Sequence, residues 1–215
     1  MPLSASTFTL VSDFNLTNSA GRPFSYGRAT LPGNFALYNT IAPNCLSTTG
    51  ETCYSSSLGN SGLYYNGSGS QTNNSTIQQP TNFLALNPQG VGVDVRFVAP
   101  ATANYSFSIN VKGLDTSQVQ SILRIYINGN QLGGVFINSI NTTTPFFLNP
   151  TSLPIGSVIE FIVTGPANNA TSGLNGIITG NPIIASTPEP STWLALGTGL
   201  FAIASLRRRK SAQSR

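Results

Sequence analysis

Five carboxyl side chains in the first 187 residues could take part in acid–base chemistry: Asp13, Glu51, Asp94, Asp115 and Glu160. Glycoside hydrolysis would need two carboxyl groups about 5–10 Å apart, with space for a sugar. Asp94 and Glu160 lie on the outward faces of predicted strands, and Asp94 could pair with Arg96 or Arg124 across a sheet in a surface salt bridge. Asp115 is expected to cap a turn, and Glu51 lies in a segment without a regular pattern. No constellation demands a reaction, so we do not expect an enzyme.

Metal and redox chemistry have few candidate residues. The chain has no histidine, which excludes histidine acid–base catalysis and histidine metal ligands together. A Ca²⁺ site could use carboxylates such as Asp13, Asp94 or Asp115, but no Asp-x-Asp-x-Asp loop supports it, and we expect no metal or other cofactor. Cys45 and Cys53 are expected to form a disulfide in an oxidising compartment, worth roughly 2–3 kcal/mol. Free thiols are the alternative.

Tyr64 and Tyr65 are the candidate glycan contacts, because tyrosine rings stack on sugar rings while Asn and Ser side chains supply hydrogen bonds. Both lie in an irregular insertion at about residues 42–80 that is rich in turn-forming residues. Long irregular segments on a rigid sheet often bind ligands, and a polar loop without a ligand is the alternative. Phe24 and Tyr26 could also stack on a sugar, but we expect them in the core.

Short β-type segments, separated by Gly and Pro, are the elements that must position these side chains. Residues 104–111 alternate between apolar and polar types, and residues 93–97 and 159–163 do the same, which predicts strands with one buried face. Asn128-Gly129 is typical of a tight hairpin turn. With roughly ten strands and no helical crossover, residues 1–185 are predicted to be all-β: an antiparallel, jelly-roll-like β-sandwich. A closed barrel is the alternative.

The charge distribution argues against a nucleic-acid partner. Only 7% of the 215 residues are charged, compared with roughly 25% in an average soluble protein. Residues 1–187 contain five basic and five acidic side chains, so the net charge of +4 comes entirely from the residues after Thr187. A phosphate-binding surface needs several cations close together, and the neutral body has no such cluster.

Residues 186–215 combine three features in a fixed order. Pro188, Glu189 and Pro190 come first, and the uncharged run 191–206 follows. As a helix, residues 193–206 would span about 21 Å, which is short for a hydrocarbon core of roughly 30 Å. This predicts a short hydrophobic helix, either crossing the inner membrane or packed on the domain. A basic group that would stay in the cytoplasm ends the run: Arg207, Arg208, Arg209 and Lys210.

This order of motif, short helix and basic end resembles the PEP-CTERM sorting signal of bacterial surface proteins. The resemblance implies that an exosortase, a membrane cysteine transpeptidase, recognises Pro188-Glu189-Pro190 and cleaves near it. It further implies an exported protein of the cell surface or extracellular matrix, held transiently in the inner membrane and associated with envelope or exopolysaccharide. Such proteins occur in Gram-negative bacteria that make extracellular polysaccharide. The alternative function is a carbohydrate-binding module with a defined glycan site.

Three segments of the body resemble a bacterial surface β-sandwich that is common among PEP-CTERM proteins and similar in architecture to carbohydrate-binding modules. They read "RPFSYGRA", "LALNPQGVGVDVRFVAPATANYSFSINVKGLDTS" and "IYINGNQLGGVFI". The opening residues contain no basic residue before Arg22 and no long apolar run, whereas "LSAS" resembles the region around a signal-peptidase site. We therefore expect the true start to lie upstream and to encode a signal peptide. The alternative is that the protein is not exported by the usual route.

Overall fold

A computed structural model of the protein describes residues 4–14, 17–19, 22–43, 50–55, 61–117, 120–166 and 170–183. The chain divides into two compact units, Met1–Ile183 and Ile184–Arg215, and every described residue belongs to the first. Met1, Cys45, the sorting signal and the hydrophobic helix predicted within 191–206 lie outside the described residues. Among the residues that are described, no helix has the length and apolar character needed to cross a membrane.

Sixteen β-strands, and no helix, are present in the described part of the chain, which is more strands than the roughly ten predicted from the sequence. Their bounds are β1 Ser6–Thr9, β2 Phe24–Arg28, β3 Ala36–Leu37, β4 Thr40–Pro43, β5 Glu51–Ser55, β6 Gly62–Asn66, β7 Thr72–Asn74, β8 Ile77–Gln79, β9 Leu84–Asn87, β10 Val93–Val98, β11 Ala103–Gly113, β12 Ser121–Ile127, β13 Asn130–Ile137, β14 Thr144–Leu153, β15 Val158–Thr164 and β16 Ser172–Pro182.

The strands form two main antiparallel sheets. The large sheet has the order β14-β11-β16-β9-β6-β5-β4, and β1 also pairs with β16. The small sheet has the order β13-β12-β15-β10-β2-β3, and β7 and β8 form a separate two-stranded ribbon. Each of the two main sheets ends in edge strands. The alternative of a closed barrel is therefore wrong. The predicted all-β, antiparallel, jelly-roll-like sandwich is confirmed.

The core lies between the inner faces of the two sheets, as the alternating patterns predicted. Tyr105, Phe107, Ile109 and Val111 of β11 are buried, and their polar neighbours face outward. Aromatic rings join the sheets: the Phe97 ring of β10 lies 5.9 Å from that of Tyr105, and Phe107 lies 6.5 Å from Phe161 of β15. Phe24 and Tyr26 are also buried in this core, as expected, so neither ring is available to a sugar.

The segment at about 42–80 is not an irregular insertion where it is described. Strands β5 and β6 pair with each other and join the large sheet through β9, and β7 and β8 follow as a ribbon. The sequence prediction was wrong here because both faces of these short strands carry mixed residue types. Thr52 lies on the core side with Tyr54, whereas Cys53 and Tyr64 lie on the outer face, which removes the alternation of apolar and polar residues.

Candidate functional site

Tyr64 and Tyr65 are adjacent on β6 and therefore point to opposite faces of the large sheet. The Tyr65 ring stacks on Phe14 with centroids 4.6 Å apart and packs against the core. The Tyr64 hydroxyl accepts a hydrogen bond from Asn87 Nδ2 at 3.3 Å, and Gln89 Nε2 donates to Asn87 Oδ1 at 3.0 Å. Burial raises the pKa of the Tyr64 hydroxyl. The two rings thus do not form a single platform, and Tyr64 is the one on the outer face.

Cys53 lies opposite Tyr64 in the pairing of β5 with β6 and is buried. No cysteine in the described ranges is a free thiol. The predicted partner of Cys53 is Cys45, which lies outside the described residues. The pairing of Cys45 with Cys53 therefore stays a prediction.

Asp94, Arg96 and Glu160 form a buried charged group, which we call the Arg96 cluster, on the outer face of the small sheet. Arg96 lies opposite Glu160 in the pairing of β10 with β15, and its Nη2 donates to Glu160 Oε1 at 2.6 Å. Asp94 and Glu160 are buried, although the sequence predicted both on exposed faces. The predicted surface salt bridge of Asp94 is also wrong, because Arg96 pairs with Glu160 and Arg124 Nη1 donates to Thr164 Oγ1.

The connection between β2 and β3 covers the Arg96 cluster. The Arg96 guanidinium carbon lies 3.9 Å from the centroid of the Phe35 ring, and the Gly33 N–H donates to Glu160 Oε1 at 3.4 Å. Gly27 permits this close approach, because a Cβ atom there would lie 2.5 Å from the Ala36 carbonyl oxygen. A cleft of about 360 Å³ remains beside the β2–β3 connection. It is lined by Arg96 and Glu160 together with Pro32, Gly33, Asn128, Gly129 and Val158.

The Asp94 carboxyl of the cluster has a raised pKa. Burial raises the pKa of its carboxyl well above the ordinary value, the negative charge of Glu160 raises it further, and the Arg96 guanidinium opposes the shift. The cluster therefore favours a protonated Asp94 beside one ion pair formed by Arg96 and Glu160.

Replacing Asp94 with asparagine should flatten the pH dependence of stability. A carboxyl whose pKa is raised by folding binds its proton more tightly in the folded state, so its contribution to stability is present at low pH. That contribution is lost as pH rises from about 4 toward the raised pKa, at about 1.4 kcal/mol per pH unit. Urea denaturation of both proteins at several pH values measures the slope. Ser25→Ala, a neutral change beside Arg96, should keep the wild-type slope, and an equal slope in Asp94→Asn would contradict this assignment.

The other three acids have structural partners. Thr72 Oγ1 donates to Glu51 Oε1 at 2.5 Å, and Glu51 is buried. Asp115 Oδ1 accepts from the Ser117 N–H at 3.0 Å, which confirms its predicted role in a turn, and Asp13 Oδ2 accepts from the Thr9 N–H at 2.7 Å. In the part of the chain that is described, no three Asp, Glu, Cys or His side chains are grouped in a way that could hold a metal ion.

A second cleft, the Phe147 groove, lies on the outer face of the large sheet and was not predicted. It has a volume of about 360 Å³ and is lined by side chains of β11, β14 and β16, among them Ser106, Ser108, Phe147, Asn149, Ile177 and Thr179. The Phe147 side chain is 69% exposed. Two consecutive phenylalanines on one strand must point to opposite faces, which is the sequence signal that could have indicated an outward ring.

The C-terminal residues 186–210 match a family model described as the PEP-CTERM protein-sorting motif. The chain carries a PEP-CTERM sorting motif. The match includes Pro188, Glu189 and Pro190 as well as the basic group Arg207–Lys210, although both lie outside the described residues. No curated protein matches the chain in sequence.

Several solved structures are similar to the body that precedes the PEP-CTERM motif. CBM51 from Clostridium perfringens GH95, in complex with methyl-galactose, is 9% identical, with 80% of this chain and 99% of that chain covered and a TM-score of 0.41. The CBM36-1 domain of a multidomain xylanase from the hindgut metagenome of Trinervitermes trinervoides is 14% identical (58% and 100% covered, TM-score 0.34). A family two carbohydrate esterase from Clostridium thermocellum, in complex with cellohexaose, is 16% identical (51% and 30% covered, TM-score 0.34). At these TM-scores the likenesses decide neither a ligand nor an activity for this chain.

Proposed function

We propose that this chain is an exported, non-catalytic β-sandwich of the cell surface or extracellular matrix, released from the inner membrane by an exosortase. The observation that carries the proposal is the match of residues 186–210 to the PEP-CTERM sorting motif. In this proposal, residues 191–206 hold the chain in the inner membrane, Arg207–Lys210 stay in the cytoplasm, and cleavage occurs near Pro188-Glu189-Pro190. The mature body then associates with the envelope or with exopolysaccharide, as in a biofilm matrix.

The placement of the carboxyl groups supports a non-catalytic body. Hydrolysis of a glycosidic bond requires two carboxyl groups that reach the sugar from opposite sides. Asp94 and Glu160 are buried under the β2–β3 connection, and Glu51 and Asp115 are buried elsewhere, whereas Asp13 is exposed and accepts a backbone hydrogen bond. A body that displays no converging pair of accessible acids fits a structural or adhesive role.

The sorting proposal is tested by replacing Pro188, Glu189 and Pro190 together with alanine in the full chain. We expect the wild-type chain, expressed in a bacterium that has an exosortase, to lose its C-terminal basic residues and to leave the membrane fraction. The triple variant should keep an intact C-terminus and remain in the membrane fraction, because the recognition motif is absent. Mass spectrometry of the C-terminal peptide and cell fractionation measure both results.

Thr187→Ala provides the matched control, since it changes a neighbouring residue and leaves the Pro-Glu-Pro motif intact. This variant should be processed like the wild type. A wild-type protein that keeps its C-terminus, or a triple variant that is cleaved as efficiently as the wild type, would rule out sorting through this motif.

We keep carbohydrate binding as a second candidate function of the exported body. Tyr64 is the better placed of the two proposed glycan contacts, because its ring is on the outer face and its hydroxyl belongs to a polar chain with Asn87 and Gln89. Tyr65 could contribute only if its ring separated from Phe14. The outer face of the large sheet supports the same function, because β11 presents hydroxyl and amide side chains there.

A further inference from the structure

We propose that the Phe147 groove binds a neutral polysaccharide chain, with the Phe147 ring as the stacking platform. The proposal deepens the second candidate function above and names both its site and the class of its ligand. The Phe147 ring is exposed, lies on a sheet and is surrounded by hydroxyl and amide groups.

The strand pairing fixes the geometry of the platform. Phe147 of β14 lies opposite Ser108 of β11, and Ser108 lies opposite Ile177 of β16. These three side chains therefore form one row across three strands on the outer face. Ser106 and Thr179 form the next row, because they are also paired across β11 and β16. A regular ladder holds the ring and the hydroxyl groups in a fixed relation to each other.

A β-bulge explains why this face has a groove. The register of β11 with β14 shifts between Tyr105 and Phe107, so β14 contains an extra residue at Asn149-Pro150 opposite Ser106. Bulges bend a strand and redirect its side chains, and they are frequent beside binding sites. Asn149 and Pro150 form the wall of the groove next to Phe147.

The chemistry of the lining selects the ligand class. A sugar ring has apolar C–H faces that pack on an aromatic ring, and hydroxyl groups that exchange hydrogen bonds with Ser, Thr and Asn side chains. No residue that lines the groove carries a charge. A polyanionic chain would find no cation to pair with there, whereas an uncharged polysaccharide would lose no ionic hydration on binding. Charge complementarity therefore favours the neutral class.

The experiment compares two exposed phenylalanines of the same chain. Phe147 is 69% exposed on the large sheet, and Phe136 is 61% exposed on β13 of the small sheet. The wild-type full chain and the variants Phe147→Ala, Phe147→Tyr, Phe136→Ala and Tyr64→Ala are run in native gels that contain hydroxyethylcellulose, xyloglucan, galactomannan or sodium alginate. Their retardation gives the Kd values. Thermal unfolding of each variant checks that the fold is unchanged.

We expect at least one neutral polysaccharide to retard the wild type, and we expect any retardation by alginate, which the basic residues 207–210 attract, to be the same in the wild type and in Phe147→Ala. Phe147→Ala should raise the Kd about tenfold, Phe147→Tyr should preserve binding, and Phe136→Ala should bind like the wild type. Binding that is lost in Tyr64→Ala but kept in Phe147→Ala would contradict the Phe147 groove as the binding site. It would still support carbohydrate binding, the second candidate function. Absence of binding to every neutral polysaccharide, alginate binding that Phe147→Ala weakens, or a dimer that Phe147→Ala dissociates would also overturn the proposal. None of these results affects the processing test of the sorting motif.

Discussion

Replacing Phe97 with alanine should lower the free energy of unfolding by about 3–5 kcal/mol, a large part of the roughly 5–15 kcal/mol that stabilises an ordinary domain. Phe97 is fully buried on β10, between the two sheets. Its ring centroid lies 5.1 Å from that of Phe8, 5.3 Å from that of Phe24 and 5.9 Å from that of Tyr105. Phe8 and Tyr105 belong to the large sheet and Phe24 to the small sheet, so removing the Phe97 ring opens a cavity where the sheets meet.

Urea denaturation measures this loss, and Phe136→Ala is the control of the same chemical type. Phe136 is mostly exposed, so its removal should change the free energy of unfolding by less than about 0.5 kcal/mol. A cost below about 1 kcal/mol for Phe97→Ala would show that this ring does not join the two sheets in solution.

The parts of the fold that follow from local patterns could be predicted from the sequence. Strand β11 alternates over its whole length, and its buried and exposed faces are the predicted ones. Asn128 and Gly129 adopt positive φ values of 48° and 81° and join β12 to β13, as their side chains favour. In both cases the residues that determine the structure are neighbours along the chain.

The Arg96 cluster could not be predicted because its burial depends on distant residues. A pattern of apolar and polar residues shows that Asp94 and Arg96 face away from the core, which is correct. It does not show that the β2–β3 connection folds over that face, because Phe35 is about sixty residues away in sequence. The same limit applies to Glu51, which pairs with Thr72 from a different strand pair.

The Phe147 groove was missed for a different reason. Apolar residues of an edge strand are usually assigned to the core, and Phe146 does pack against it. The outward direction of Phe147 follows from the strand period alone, but the bulge that shapes the groove depends on the register with β11. Register is a property of the pair of strands, and a single segment of sequence does not define it.

Replacing Arg96 with methionine should destabilise the protein by about 3 kcal/mol at neutral pH, because it leaves the Glu160 carboxylate buried without a cation beside Asp94. The Arg96 side chain is 21% exposed, which places the expected cost at the lower end of the range for buried ion pairs. Loss of the contact between the guanidinium and Phe35 adds to this cost.

The double variant Arg96→Met/Glu160→Met distinguishes destabilisation by an unpaired buried charge from destabilisation by lost packing contacts. Two methionines fill a similar volume and leave Asp94 as the only carboxyl of the Arg96 cluster, with a pKa that burial raises. The double variant should therefore be more stable than Arg96→Met alone, although it lacks one more native side chain. Urea denaturation of Arg96→Met, Glu160→Met and the double variant gives the coupling free energy between the two side chains. Costs that simply add would mean that Arg96 acts through its contacts with Phe35 and not through its charge.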